Sequence, residues 1–167
     1  MALLVDTLHK ELNTLNENDI RLQAIGDLAK LPKRTHQALL DGIENTKENS
    51  RMTLVLAINY SAKWEIARAA AQLARAVQTG SLTPEEIDEG RFADALSTRG
   101  FPDPELLIRT SGEHRLSNFL LWQIAYAELY FSPVFWPEFR KQHLYEAIID
   151  FQRRERRFGK ISEQVVP

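Results

Sequence analysis

The sequence contains no cysteine, which excludes a disulfide framework and any zinc site built on cysteine thiolates. It also contains no apolar run near the roughly 18 residues that a membrane-spanning helix requires. Neither sign of charge dominates, because 21 Lys and Arg residues are balanced by 23 Asp and Glu residues, for a formal net charge of -2. That balance gives no reason to expect a nucleic acid as partner.

What the sequence does contain is the composition of a folded globular protein. Of its 167 residues, 44% are hydrophobic and 26% are charged. A chain of this length fits one domain and can bury a sizeable core without disulfides.

Strand patterns alternate with helical patterns along the chain. Apolar runs predict strands at Ile20–Ile25, Thr53–Ile58 and Leu106–Ile108. Apolar residues at helical spacing predict helices over Leu4–Leu15, Leu39–Ile43, Ile66–Val77 and Leu144–Phe151. This alternation predicts an α/β fold with a mostly parallel central sheet flanked by helices.

Two of the predicted helices differ in the capping residues at their N-termini. The first helical pattern begins without a capping residue, which hints that Met1 is not the natural start. In contrast, Thr83 is placed to cap a helix, with Pro84 at its first position and Glu86 able to reach back. We therefore expect a helix to follow Thr83.

Polar and charged residues cluster where the third predicted strand ends. Arg109 directly follows this strand, and Arg115 and Ser117 come within the next few residues. Ligands in open α/β sheets bind beyond the carboxyl ends of the strands. Two guanidinium groups and a hydroxyl at a helix N-terminus suit a phosphate or diphosphate.

The same residues also allow a simpler interpretation. Arg109 and Arg115 each have a glutamate nearby in sequence, Glu105 and Glu113 respectively. Ion pairs on the surface would satisfy both arginines without any ligand. The residues alone leave both interpretations open.

One carboxylate, Glu128, follows the apolar segment that begins after Ser117. If Ser117 caps a helix, Glu128 shares a face with Leu121 and Ile124, where an unpaired charge is costly. Its partner would be a metal ion or an arginine, unless the helix ends earlier and the carboxylate is solvated. A single carboxylate together with a diphosphate can coordinate Mg²⁺. His114 is a weaker candidate ligand for the same metal.

The segment from Leu107 to Gln123, LIRTSGEHRLSNFLLWQ, closely resembles a signature of the cis-prenyltransferases. The resemblance continues through Ile25–Asp27, Ala57–Tyr60, Ala125–Phe131, Trp136–Phe139 and Arg156–Gly159. It covers essentially the whole chain in order. It implies the cis-prenyltransferase fold, with residues 1–167 forming the C-terminal portion of a single domain.

The resemblance also implies a reaction and a site. Members of this family condense isopentenyl diphosphate with an allylic diphosphate, usually farnesyl diphosphate, and so build a long polyprenyl (undecaprenyl) diphosphate, the lipid carrier for bacterial cell-wall precursors. Arg109, Arg115 and Ser117 match residues that bind the isopentenyl diphosphate head group. Glu128 matches a carboxylate linked to Mg²⁺, and His114 matches a position near that metal. A cytoplasmic homodimer is implied, with peripheral membrane contact through the lipid product.

Two features depart from the family pattern. The Met-Asp-Gly-Asn-Gly-Arg-Trp motif, which carries the metal-binding aspartate, does not occur, so we expect an N-terminally incomplete chain with no catalytic residue and no activity alone. Ser61-Ala62-Lys63 replaces the usual Gly-Gly-Arg, which leaves the form of that loop open. The alternatives are a non-catalytic partner subunit of a cis-prenyltransferase complex and a phosphate-binding α/β protein of another class.

Overall fold

The computed structural model describes residues 2–154, and the chain divides into two compact units. The first unit is Met1–Gly100, and the second begins at Phe101. Each unit has its own pair of parallel strands. No helix among residues 2–154 is both long enough and apolar enough to cross a membrane.

The first unit is built around two parallel strands joined by a helix. Its elements are α1 (Ala2–Glu17), β1 (Ile20–Ile25), α2 (Lys33–Asn45), β2 (Met52–Ala57), α3 (Ala62–Gln78) and α4 (Glu89–Asp94), with 3-10 helices at Leu28–Lys30 and Pro84–Glu86. The register of the strand pair runs from Ile20 opposite Met52 to Ile25 opposite Ala57. Both predicted strands and the helix between them are confirmed.

Leucines from α1, β1, α2 and the end of the first 3-10 helix form the core of the first unit. The buried cluster consists of Leu8, Leu15, Leu22, Leu31 and Leu39. Leu8 and Leu15 belong to the apolar face that predicts α1. Burying each such side chain contributes about 1.5–3 kcal/mol to stability.

Close backbone contact joins the carboxyl ends of β1 and β2. Gly26 has φ +115, and a Cβ atom there would lie 2.2 Å from the carbonyl oxygen of Ile58. The Asp27 amide donates to the Asn59 carbonyl at 3.2 Å, and Asn59 Nδ2 donates to the Asp27 carbonyl at 3.0 Å. Only glycine fits at position 26, because any side chain would displace this backbone.

The segment that departs from the family pattern forms an ordinary helix start. Ser61 has φ -150, and its hydroxyl accepts a hydrogen bond from the Trp64 amide at 3.3 Å. Ala62 is the first residue of α3 and is fully buried. Since neither Ser61 nor Ala62 has a positive φ, this backbone does not require the usual glycines.

The second unit contains β3 (Leu106–Arg109), β4 (Glu128–Phe131), a 3-10 helix at Trp136–Glu138 and α5 (Lys141–Gln152). The strands pair in parallel, and α5 packs against β4. The predicted α/β class, with parallel strands and flanking helices, is confirmed. Within residues 2–154 the strands form two two-stranded sheets, one in each unit. The Arg156–Gly159 motif lies outside the described residues.

The helix predicted after Thr83 is only one turn long. The capping interaction is present, since the Thr83 amide donates to Glu86 Oε2 at 2.7 Å. However, the 3-10 helix stops at Glu86, and Ile87 is extended with ψ 97. Asp88 then caps a separate helix, α4, by accepting from the Arg91 amide at 2.8 Å. A second capping residue so close to the first divides the predicted helix.

The helix predicted to begin at Ser117 is not formed. Residues 117–126 make a series of turns instead. Ser117, Asn118 and Leu120 have φ values of 51, 60 and 47, in the left-handed region that interrupts a right-handed helix. One α-helical hydrogen bond remains, from the Ile124 amide to the Leu120 carbonyl at 3.0 Å.

Candidate functional site

Arg109 is the last residue of β3, and it lines a cavity of about 490 Å³. Arg115 lines the same cavity. The remaining lining residues are Ile108, Thr110, Ser111 and Glu113. The structure therefore brings two of the three predicted head-group residues together at the carboxyl end of a strand. Two arginines that line one cavity suit a multiply charged anion such as a diphosphate.

The two arginines differ in their surroundings. Arg115 Nη1 forms an ion pair with Glu113 Oε2, which is the surface pair that the simpler interpretation predicts. The Arg115 side chain is 67% exposed, so this pair contributes little to stability. Arg109 is half-buried, and within residues 2–154 its guanidinium has neither a hydrogen bond nor an ion pair. Arg109 is thus the cation of the cavity that a ligand can engage without breaking an existing contact.

The turn after Arg109 is held by the segment that follows β4. The Ser111 amide donates to the Val134 carbonyl at 2.9 Å, and the Gly112 amide donates to the Ser132 carbonyl at 2.9 Å. Ser111 and Gly112 have φ values of 69 and 64. Successive amides in a turn can form an anion-binding nest. Because both amides already have acceptors, recognition of an anion in this cavity falls to the side chains.

Ser117 and His114 are not among the residues that line the arginine cavity. Ser117 is exposed and does not line the arginine cavity. His114 is also exposed, and its ring contacts that of Phe131 with centroids 4.8 Å apart and planes inclined by 39°. The roles assigned to these two residues by resemblance remain predictions.

Glu128 lies at the other end of the strand pair from Arg109. It is the first residue of β4 and sits opposite Leu106, whereas Arg109 sits opposite Phe131. Three residues along a strand correspond to about 10 Å. The predicted position of Glu128 on an apolar helix face is wrong, because the residues before it form turns and the carboxylate belongs to a strand.

An arginine near the end of α5 binds Glu128. Arg154 Nη1 donates to Glu128 Oε2 at 2.8 Å and to the Leu129 carbonyl at 3.0 Å. Its Nε and Nη2 donate to Asp150 Oδ2 at 2.9 and 2.5 Å. The hydrogen bond to Glu128 is the largest cause of a raised pKa for Arg154, and the Asp150 carboxylate raises it further. The sequence predicted an arginine as one possible partner of Glu128 but did not indicate which one.

Glu128 is also the predicted ligand for Mg²⁺. No group of three or more His, Asp or Glu side chains among residues 2–154 could hold a metal ion. A dedicated protein cage for the metal is therefore not found in this part of the chain. Mg²⁺ often binds through a single carboxylate with phosphate oxygens and water, and Glu128 fits only that arrangement.

A second cavity adjoins the first and was not predicted. It has a volume of about 550 Å³ and shares Ile108 and Thr110 with the arginine cavity. Its other lining residues are Trp136, Phe139, Arg140, Lys141 and Leu144. Trp136 is 72% exposed, which is unusual for so large an apolar side chain. The aromatic residues of this region were the available sequence signal. They did not predict a cavity, because aromatic residues are most often part of a core or an interface.

Comparison with known proteins identifies the same family that the central motif indicates. The family model described as "Putative undecaprenyl diphosphate synthase" matches residues 1–159. An isoprenyl transferase of Chlorobaculum tepidum is 53% identical over 165 residues, which cover 99% of this chain and 62% of that protein. A ditrans,polycis-undecaprenyl-diphosphate synthase ((2E,6E)-farnesyl-diphosphate specific) of Pseudomonas syringae pv. tomato is 50% identical over 165 residues, covering 99% and 66% respectively.

A solved structure is similar as well. The crystal structure of lavandulyl diphosphate synthase from Lavandula x intermedia in complex with dimethylallyl diphosphate matches with a TM-score of 0.93 and 37% identity, covering 96% of this chain and 70% of that one. The chain spans less than two thirds of the length of both sequence relatives, 62% of the first and 66% of the second. The family match over residues 1–159 and the identities near 50% lead to one conclusion: this chain belongs to the undecaprenyl diphosphate synthase family of prenyltransferases.

Proposed function

We propose that this chain carries the isopentenyl diphosphate site of a cis-prenyltransferase. The reaction is the repeated condensation of isopentenyl diphosphate with farnesyl diphosphate to give a long polyprenyl (undecaprenyl) diphosphate. The observation that carries the proposal is the shared cavity of Arg109 and Arg115 at the carboxyl end of β3. The relative specific for farnesyl diphosphate supports the choice of allylic substrate.

The proposed binding energy comes mainly from the arginines. Each charge-assisted hydrogen bond to a phosphate oxygen contributes about 1.5–3 kcal/mol. Four such bonds at the upper value, less about 4 kcal/mol for association, give about -8 kcal/mol, which corresponds to a micromolar Kd. Arg115 can turn from Glu113 toward the ligand at small cost, since their ion pair is exposed. Ser117 is proposed to add a hydroxyl donor.

Magnesium is proposed as the cofactor, with Glu128 as a ligand and His114 in a weaker role. Bound with the diphosphate, the ion would neutralise part of its negative charge. The chain's own residues hold the head group of the substrate that is added. The family's aspartate motif does not occur in these 167 residues, so we propose binding without turnover for this chain alone.

A homodimer in the cytoplasm is the proposed assembly, with peripheral membrane contact through the lipid product. The second unit presents several exposed apolar side chains that a second copy could cover. They include Phe135 at 62% exposure, Trp136 at 72%, Tyr145 at 49% and Ile149 at 46%. Light scattering on the purified chain tests this, because a dimer mass supports the assembly and a monomer mass at high concentration contradicts it.

Isothermal titration calorimetry tests the proposed ligand. Isopentenyl diphosphate should bind the chain with micromolar affinity in the presence of Mg²⁺, and ADP, which carries the same diphosphate on a larger group, should bind at least about tenfold more weakly. Equal affinity for both would instead favour a general phosphate-binding protein. No measurable binding of isopentenyl diphosphate would contradict the proposal.

A further inference from the structure

We propose that Ser132 is a positioning residue for the head-group site, acting through the segment Ser132–Val134. This inference rests on the proposed function, since it names what holds the arginine cavity in its binding shape. Ser132 is not proposed to touch the ligand. It is 3% exposed and does not line the arginine cavity.

The segment fastens the backbone on the strand side of the cavity at three points. The Ser132 amide donates to the Arg109 carbonyl at 2.7 Å. The Ser132 and Val134 carbonyls accept from the Gly112 and Ser111 amides, each at 2.9 Å. The segment therefore fixes both the residue that bears the main cation and the turn that leads from it toward Arg115.

The Ser132 side chain sets the shape of the segment itself. Its Oγ accepts a hydrogen bond from the Val134 amide two residues later, at 3.3 Å. Such a local bond curves the backbone in the manner of a serine turn. Pro133 between them restricts its own φ and limits the alternatives further. With the segment in this shape, its two carbonyls lie where both turn amides can reach them.

The turn needs this support because its conformation is unfavourable for serine. The left-handed conformation costs an L-residue free energy, and Ser111 has φ 69. If the carbonyls of the segment moved, the turn would relax and Arg109 and Arg115 would no longer be held beside the same cavity. Binding that relies on a pre-formed site then weakens, because the site must be ordered at the moment of binding.

Calorimetric titration of isopentenyl diphosphate and of inorganic pyrophosphate, each with Mg²⁺, tests the proposal on the whole chain. The variants are Ser132→Ala, Ser132→Thr and Pro133→Gly, with Pro102→Gly at another exposed proline of the second unit as the matched control. Thermal unfolding confirms that each variant is folded at the titration temperature. Ser132→Ala and Pro133→Gly should raise Kd about tenfold for both ligands. Ser132→Thr, which keeps the hydroxyl, and Pro102→Gly should stay within about twofold.

The outcomes separate this inference from the function on which it rests. If the unaltered chain binds and the folded Ser132→Ala and Pro133→Gly variants bind equally well, the positioning role is wrong. If Ser132→Ala does not fold, Pro133→Gly decides, because the Pro133 side chain is exposed and supports little packing. If the unaltered chain binds neither ligand, the proposed function fails first and this inference fails with it.

Discussion

Arg109 and Glu128, which the sequence groups in one site, lie at opposite ends of the same pair of strands. Arg109 ends β3 and faces Phe131, while Glu128 begins β4 and faces Leu106. The separation along the strands is about 10 Å. Within the second unit, the proposed head-group cation and the predicted metal ligand therefore have different surroundings, and each can be tested without the other.

Arg109 should matter more for binding than Arg115. Arg109→Met should raise the Kd for isopentenyl diphosphate by about 10- to 100-fold, because it removes one or two charge-assisted hydrogen bonds. Arg115→Met should raise it only about three- to tenfold, because that side chain is exposed and gives up its bond to Glu113. Calorimetry measures both, with Arg99→Met, in the first unit, as the control. The reverse order of effects would contradict the roles assigned to the two arginines.

The ion pair of Glu128 and Arg154 should contribute measurably to stability. Both side chains are partly buried, at 28% and 33% exposure. In a double-mutant cycle of Glu128→Gln and Arg154→Met, urea unfolding should give a coupling energy of about 0.5–2 kcal/mol. The exposed pair of Lys47 and Glu44 serves as the control, with a coupling near zero. Equal coupling in the two cycles would show that burial does not strengthen the Arg154 pair.

The buried carboxylate of Glu65 should be needed for folding rather than for binding. It is 2% exposed and accepts hydrogen bonds from the Tyr60 hydroxyl at 2.6 Å, from the Ser97 amide at 2.8 Å and from the Ser97 hydroxyl. Glu65→Gln replaces an acceptor with a donor and should lower the free energy of unfolding by about 1–3 kcal/mol. Tyr60→Phe should lower it by about 1 kcal/mol. Urea midpoints unchanged in both variants would argue against this network.

A substitution at Gly26 should lower the stability more than the same substitution at Gly80, although both glycines have a positive φ. A Cβ atom at Gly26 would meet the Ile58 carbonyl oxygen at 2.2 Å, whereas nothing lies within 4 Å of a Cβ at Gly80. Gly26→Ala should cost about 2–4 kcal/mol of stability, from conformational strain plus the clash. Gly80→Ala should cost about 1–2 kcal/mol, from strain alone. Chemical denaturation compares the two, and similar losses would mean that the backbone at Ile58 moves away freely.

The sequence predicted Arg109 correctly at a strand end because the signals there are local. A short apolar run stops at a charged residue, and polar turn residues follow. The same local signals correctly predicted both strands of the first unit and most of the helices. Where neighbouring residues decide the structure, pattern and composition are sufficient.

The segment before Glu128 could not be predicted in the same way. Apolar residues such as Leu121 and Ile124 have helical spacing, yet Ser117, Asn118 and Leu120 adopt left-handed conformations that no glycine marks. The bond between Arg154 and Glu128 joins residues 26 positions apart, so tertiary packing determines it. The bond depends on how β4 and α5 come together, and neither feature follows from local propensity.

A crystal structure of this chain with isopentenyl diphosphate and Mg²⁺ tests the central claim most directly. The diphosphate should occupy the cavity of about 490 Å³ beside β3. Its oxygens should lie about 2.7–2.9 Å from guanidinium nitrogens of both Arg109 and Arg115. A diphosphate bound elsewhere, with both arginines facing solvent, would contradict the account.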